Sequence, residues 1–421
     1  MDNKFQAKGF LVWGICALFF LYEFFLRTVI GTYQHPVMQD LDITSFQFSV
    51  LSTTTFALIL GTAQIPLGFI VSNIGLKKSL ATGSLICAIA SIGFAYSYNY
   101  PMAVFYRMLM ALGASFGFIC LLVSVYDWMP HRYSAVFIGL SQFIGTLGPM
   151  ISAGPLETMS ESQSINWRFV FLTLSGIGFA LFVLVFLFVD NNQEKSGRNI
   201  ILQKPEKLIN SLKRLFTNRQ AIYIALVTGG LYFAIEYLSA NEGRSFLLLK
   251  GVSLQSASYM ITISWIGYAI GCPLLGALSD IFERRKALLS LSGVLGLLSI
   301  ISILYLPGEI TLFVAFFMLG ISAAGQSIGY ANIAEQFNKQ FTAIAFGFNN
   351  AVVAIIAAIN APTIGLLIDR SKQAGAISLG DYRFVFSILV ITILAALLIS
   401  VFLLKETYCK SAAEFTVLKL K

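Results

Sequence analysis

The sequence predicts an all-α polytopic membrane protein with twelve transmembrane helices in two pseudo-symmetric six-helix bundles. Three observations carry this: apolar composition, apolar runs of span length, and short motifs that recur in both halves. Hydrophobic residues make up 57% of the 421 residues and charged residues 11%, whereas soluble domains carry about 25% charged residues. Mean hydropathy is +0.79. Runs of about 20 apolar residues, enough to cross a bilayer as helix, fall at roughly 9–31, 47–72, 79–98, 101–126, 134–156, 169–189, 221–240, 256–279, 287–306, 310–333, 343–368 and 384–404. None alternates as a barrel strand would.

The first run carries charges and lacks a small-residue cleavage site, so it is expected to be retained. The net charge of +8 and pI near 9.1 raise the question of a nucleic-acid partner. The placement of the 28 Lys and Arg answers it. With a cytoplasmic amino terminus, 20 fall on inward segments, six on outward segments, and Arg27 and Arg107 within the membrane. The basic balance therefore reads as topological, with both termini cytoplasmic and no nucleic-acid partner. Cys16, Cys87, Cys120, Cys272 and Cys409 are scattered and suggest neither a disulfide nor a metal site.

The one long polar interval, 190–220, divides the chain into an N-terminal bundle (1–189), a cytoplasmic linker (190–220), a C-terminal bundle (221–405) and a cytoplasmic tail (406–421). NWRFVF at 166–171 opens the sixth run and DYRFVF at 381–386 opens the twelfth. GFIVSNIGLKKS from Gly68 and GALSDIFERRKA from Gly276 close the second run of each half, 208 residues apart.

Polar residues within the runs are unevenly placed. Runs three, six, nine and twelve contain no Asp, Glu, Lys, Arg, His, Asn or Gln. Runs one, two, four, five, seven, ten and eleven contain Glu23, Arg27, Gln64, Arg107, Gln142, Glu236, Gln326, Asn332, Asn349, Asn350 and Asn360. Because a charge facing lipid costs a few kcal/mol or more, every third helix reads as lipid-facing scaffold and the rest as walls of a polar interior.

Over nearly its whole length the chain resembles the major facilitator superfamily. GALSDIFERRK is similar to that family's loop motif, a close-packing Gly followed by an Asp and basic residues, here Gly276, Asp280, Arg284 and Arg285. The N-terminal copy keeps Gly68, Lys77 and Lys78 but has Ser72 and Asn73 where the Asp and Arg would stand. The resemblance implies a cytoplasmic conformational latch, asymmetric in this chain. RMLMALGASFG, with Arg107, resembles the family's fourth helix, and GTLGPMISAGP its antiporter Gly-Pro motif with altered spacing. ALFFLYEFFLRTVIGTYQHPVM is most similar to the phagosomal transporters of intracellular bacteria, which implies import of an amino acid or nucleoside across a bacterial inner membrane.

Glu23 and Arg27 lie one helical turn apart and share a face. At 1.5 Å per residue, Glu23 lies roughly 21 Å into its run, Glu236 about 22 Å into the seventh, and Arg107 roughly 9 Å below the outer surface. These groups therefore occupy one level, on helices that line the cavity in the resembled fold. A site with carboxylates and guanidiniums suits a zwitterion: Arg27 or Arg107 receives a carboxylate, one glutamate holds the ammonium, and the other carries the coupling proton. Tyr22, Tyr237, Gln326 and Asn350 are further candidates for solute contact.

The expected function is secondary active transport by a monomer: import of a small polar solute, an amino acid first, by proton symport. A nucleoside importer and an exporter of a drug or siderophore-like solute are the alternatives. No GxxxxGK[ST] phosphate loop, HExxH or GxSxG occurs, and the histidines are peripheral. Neither an enzyme nor a cofactor is expected.

Overall fold

The computed structural model describes residues 7–129, 134–163, 165–190, 215–337 and 342–409. Helix is the dominant element throughout, and no strand occurs among these residues. The chain divides into two compact units, Met1–Gly197 and Arg198–Lys421.

In the first unit α1 (Ala7–Thr32) leads into the short α2 (Gln34–Leu41). The second span is α3 (Ser45–Ser49), a π-helical turn (Val50–Thr54) and α4 (Thr55–Ile74). Then come α5 (Leu76–Ala95), a fourth helix interrupted at Ser115 into α6 (Tyr100–Ala114) and α7 (Phe116–Trp128), α8 (Ser134–Gln163) and α9 (Trp167–Phe188). Polar caps start several of these helices. Thr44 and Gln47 form a reciprocal capping box, and Asn99 accepts the Met102 amide two residues before a first-turn proline.

The second unit repeats the plan. Its seventh helix is α10 (Arg219–Ala240), broken at Asn241 before α11 (Gly243–Leu249). There follow α12 (Leu254–Ile281), α13 (Arg285–Tyr305), a tenth helix interrupted at Ala324 into α14 (Glu309–Ala323) and α15 (Gly325–Glu335), α16 (Thr342–Ala374) and α17 (Leu379–Phe402).

Eleven stretches among the described residues are long and apolar enough to span a membrane, where the sequence suggests twelve. The fifth run of the sequence lies on α8, which is 30 residues long and carries several glycines. One of those glycines serves packing: a Cβ on Gly148 would lie 2.6 Å from the Leu21 carbonyl oxygen and 2.7 Å from the Phe25 nitrogen. The Gly-Pro stretch thus brings α8 into backbone contact with α1.

The expected scaffold helices six and twelve turn large apolar side chains outward, among them Phe169, Phe186 and Leu187 on α9 and Phe384, Ile391 and Phe402 on α17. Their repeated opening motif has a shared structural job. Arg168 Nη1 donates to the Ala95 and Ser97 carbonyls at 2.7 Å each, closing the end of α5. Arg383 Nε donates to the Leu304 carbonyl at 3.2 Å, at the end of α13. In each half the arginine meets carbonyls that the helix leaves without an internal donor.

Candidate functional site

In the first unit Glu23 is 2% exposed, and its Oε2 has no hydrogen-bond partner among the described residues. The fourth helix makes room for it: a Cβ on Gly117, just after the interruption at Ser115, would lie 3.1 Å from Glu23 Cγ. Arg27, half-buried one turn along α1, stands 5.7 Å from the Phe24 ring centroid. Its charge acts on both Glu23 and Arg107. Arg107 is fully buried. Its Nη1 donates to the Leu26 carbonyl at 2.7 Å, and its Nη2 to the Arg27 carbonyl at 2.8 Å and the Ser52 carbonyl at 3.3 Å. The guanidinium lies 4.6 Å from the Phe56 centroid, and Nε has no hydrogen-bond partner among the described residues.

The fold therefore gathers Glu23, Arg27 and Arg107 into one buried junction of the first, second and fourth helices. Arg107 reaches the second helix at its π-turn, an irregularity that often accompanies function. Tyr22 points elsewhere, donating to the Leu174 carbonyl of α9 at 2.9 Å.

In the second unit Glu236 is 5% exposed on α10. Its neighbour Tyr237 is fully buried, edge-on to Phe386 at 6.0 Å. Gln326 accepts the Tyr268 hydroxyl at 2.8 Å, and Tyr330 donates to Asn350. Asn360 bonds back to its own helix at Ile356, at 2.8 Å. Asn332 and Asn349 are buried, with both amide atoms unpartnered among the described residues.

The break at Asn241 carries a group that lies just beyond the apolar run 221–240. Glu242 is 1% exposed; its Oε2 accepts the Tyr382 hydroxyl at 2.9 Å and its Oε1 has no partner among the described residues. Arg244 beside it donates from Nε to Ser258 Oγ at 3.2 Å. The signal was the run Asn241-Glu242-Gly243, a helix stop placed against the end of an apolar segment.

The latch residues fall at one end of the second unit. Arg285 pairs with Asp280 at 2.6 Å and with Glu335 at 2.9 Å, and donates to Ser279. Glu406, beyond α17, accepts the backbone amides of Arg285 and Lys286 at 2.7 and 3.1 Å and so caps α13. Arg284 stacks 5.0 Å from the Tyr408 ring. Gly276 does not serve close packing, because a Cβ there would meet nothing within 4 Å. In the first unit Gly68 lies within α4, Lys77 lies 5.2 Å from the Phe186 ring centroid and Lys78 is exposed. Lys8 at the start of α1 pairs with Asp190. The rest of the linker, 191–214, and the tail beyond 409 lie outside the described residues.

The profile of the Major Facilitator Superfamily matches residues 15–249 and 245–414. The chain belongs to the major facilitator superfamily. Among similar superfamily members is the inner membrane metabolite transport protein YhjE of Escherichia coli K12, 23% identical over 398 residues, which cover 87% of this chain and 88% of the relative. The hexuronate transporter of Bacillus subtilis 168 is 25% identical over 266 residues, 60% of each chain. The fold agrees with two solved superfamily structures, each at 15% identity. One is a bacterial homologue of the human lysosomal transporter Spinster, with a TM-score of 0.72 over 99% of both chains. The other is a D-xylose–proton symporter, with a TM-score of 0.71 over 96% of this chain and 99% of that one. The protein is thus a multi-pass membrane protein and a secondary transporter of this superfamily.

Proposed function

We propose that this transporter imports a small carboxylate-bearing solute, an amino acid in the first instance, together with a proton, across a bacterial inner membrane with both termini cytoplasmic. The observation that carries the reading is Glu23: a buried carboxylate with one oxygen unpartnered among the described residues, within the field of the Arg27 guanidinium. An ion so enclosed is costly unless it meets a partner. A proton is such a partner, and a carrier that reorients only when this carboxylate is protonated and the solute is bound moves both in the same direction.

Arg27 suits the solute carboxylate better than Arg107, whose terminal nitrogens are engaged with three backbone carbonyls. Arg107 then acts as a fixed positive charge that holds the first, second and fourth helices in register. Glu236 takes the second carboxylate role in the other unit, with Tyr237, Gln326 and Asn350 as polar or aromatic contacts. The first-helix resemblance to phagosomal transporters favours an amino acid or nucleoside. The hexuronate transporter among the relatives favours a second reading, a sugar acid, which shares the carboxylate.

Purified protein in right-side-out liposomes with an inward proton gradient tests this. Labelled amino acids, glucuronate and nucleosides are offered in turn. Accumulation of an amino acid or glucuronate that collapses with a protonophore is expected. Accumulation of neither overturns the reading, and solute efflux driven by the same gradient would make the protein an exporter.

A further inference from the structure

We infer that Tyr268 is a specificity-determining positioning residue: its hydroxyl occupies the Gln326 carbonyl oxygen, so the amide presents its NH2 donor to the acceptor group of the solute. This rests on the proposal that the solute carries a carboxylate.

Gln326 is the second residue of α15, directly after the interruption at Ala324, and is 6% exposed. Tyr268 on α12 donates to its Oε1 at 2.8 Å, the one hydrogen bond of the Gln326 side chain among the described residues. A phenol has a single proton to give, and an amide has one oxygen and two N–H donors. With the phenol proton on the oxygen, the two N–H donors of Gln326 are the groups left to meet the solute acceptor.

The surroundings fix that orientation. A Cβ on Gly271 would lie 2.7 Å from Ala324 Cβ, so α12 and the interrupted tenth helix meet at close range. Ser327 Oγ adds a bond to the Cys272 carbonyl at 3.3 Å. The Tyr268 ring is held edge-to-face by Tyr232 and Trp265, with centroids 5.7 Å away in both cases. Trp265 Nε1 in turn donates to Ser239 Oγ at 3.0 Å, two residues before the break at Asn241. The series Ser239, Trp265, Tyr268, Gln326 thus runs from one helix break to the other. Among the described residues the Gln326 side chain has a partner at its oxygen only.

A buried donor accepts a carboxylate or carbonyl and disfavours an ammonium or amide nitrogen at the same place, because the mismatched pair leaves both groups unsatisfied. The test compares acids with their amides, L-leucine with L-leucinamide and D-glucuronate with D-glucuronamide, as substrates of wild-type protein, Tyr268→Phe and Gln326→Glu in liposomes. Tyr268→Phe should reduce the preference for the acid by about tenfold, read as the ratio of KM values. Gln326→Glu keeps an acceptor for the phenol and removes the donor, so it should raise KM for the acid more than for the amide. A general loss of stability moves both KM values together, and thermal melting of each variant checks that it folds. If wild type takes up one of the acids and neither variant changes the ratio, the inference is overturned. If wild type takes up neither acid, the functional reading falls and this inference with it.

Discussion

Tyr382 donates its hydroxyl to Glu242 at 2.9 Å, and Trp167, at the matching step of the repeated motif, donates its indole N–H to Asp40 at 2.8 Å. Each bond ties the opening of a scaffold helix to the short segment that follows the first helix of its half. The acids differ in surroundings: Asp40 is exposed, whereas Glu242 is buried with its second oxygen unpartnered among the described residues. Tyr382→Phe should therefore destabilise the protein by about 1–3 kcal/mol, the cost of stranding a buried acceptor. Trp167→Tyr, which keeps a donor beside a solvated acid, should cost less. Thermal melting in detergent ranks the two.

Glu23→Gln and Glu236→Gln should separate coupling from binding. One variant should lose gradient-driven accumulation while retaining solute exchange, and the other should raise KM. Wild-type behaviour of both in uptake and counterflow assays removes the assigned roles.

Gly117→Ala tests the seat of Glu23. The added methyl would come within 3.1 Å of Glu23 Cγ and 3.5 Å of the Phe19 ring, so the carboxylate must shift. Gradient-driven uptake should fall severalfold. Gly14→Ala, on the same helix as Glu23 with nothing within 4 Å of the new methyl, should leave uptake unchanged and stabilise α1 by about 0.5–1 kcal/mol.

Glu406→Ala should free the first amides of α13. Loss of a cap of this type costs about 1 kcal/mol, and hydrogen exchange at Arg285 and Lys286 should accelerate. Unchanged exchange there would mean that the contact adds nothing to the helix end.

Lys250 gives a pH signature. Burial first, then the charge of Arg383, lowers its pKa from 10.5. The folded state thus sheds this proton before the unfolded state does, so the unfolded chain binds more protons within the window below 10.5. The stability of wild type relative to Lys250→Met should rise with pH through that window and level off above it. Paired melting curves from pH 7 upward measure the difference, and a falling difference would contradict the assignment.

The helical class was legible in the sequence because hydrocarbon permits few backbone solutions, so long apolar runs declare themselves as helix. The repeated NWRFVF and DYRFVF were legible as a repeat, but their job was not. Arg168 and Arg383 cap carbonyls about 70 to 80 residues away in sequence, and nothing local in the motif names that partner. The buried setting of Glu23, Arg27 and Arg107 follows the same division. Their intramembrane position was readable from the apolar run around each, whereas the attachment of Arg107 to the Leu26, Arg27 and Ser52 carbonyls depends on how three helices pack.

The sequence by itself determined where the chain is apolar, where it is charged, and that its halves are related, because those properties belong to single residues and their order. Only the tertiary structure decided that Glu242 is buried rather than in a solvated loop, that Gly276 stands in open space, and that Tyr268 orients Gln326. A side chain's burial and hydrogen-bond partner are set by groups from distant helices, whose approach depends on packing rather than on local order.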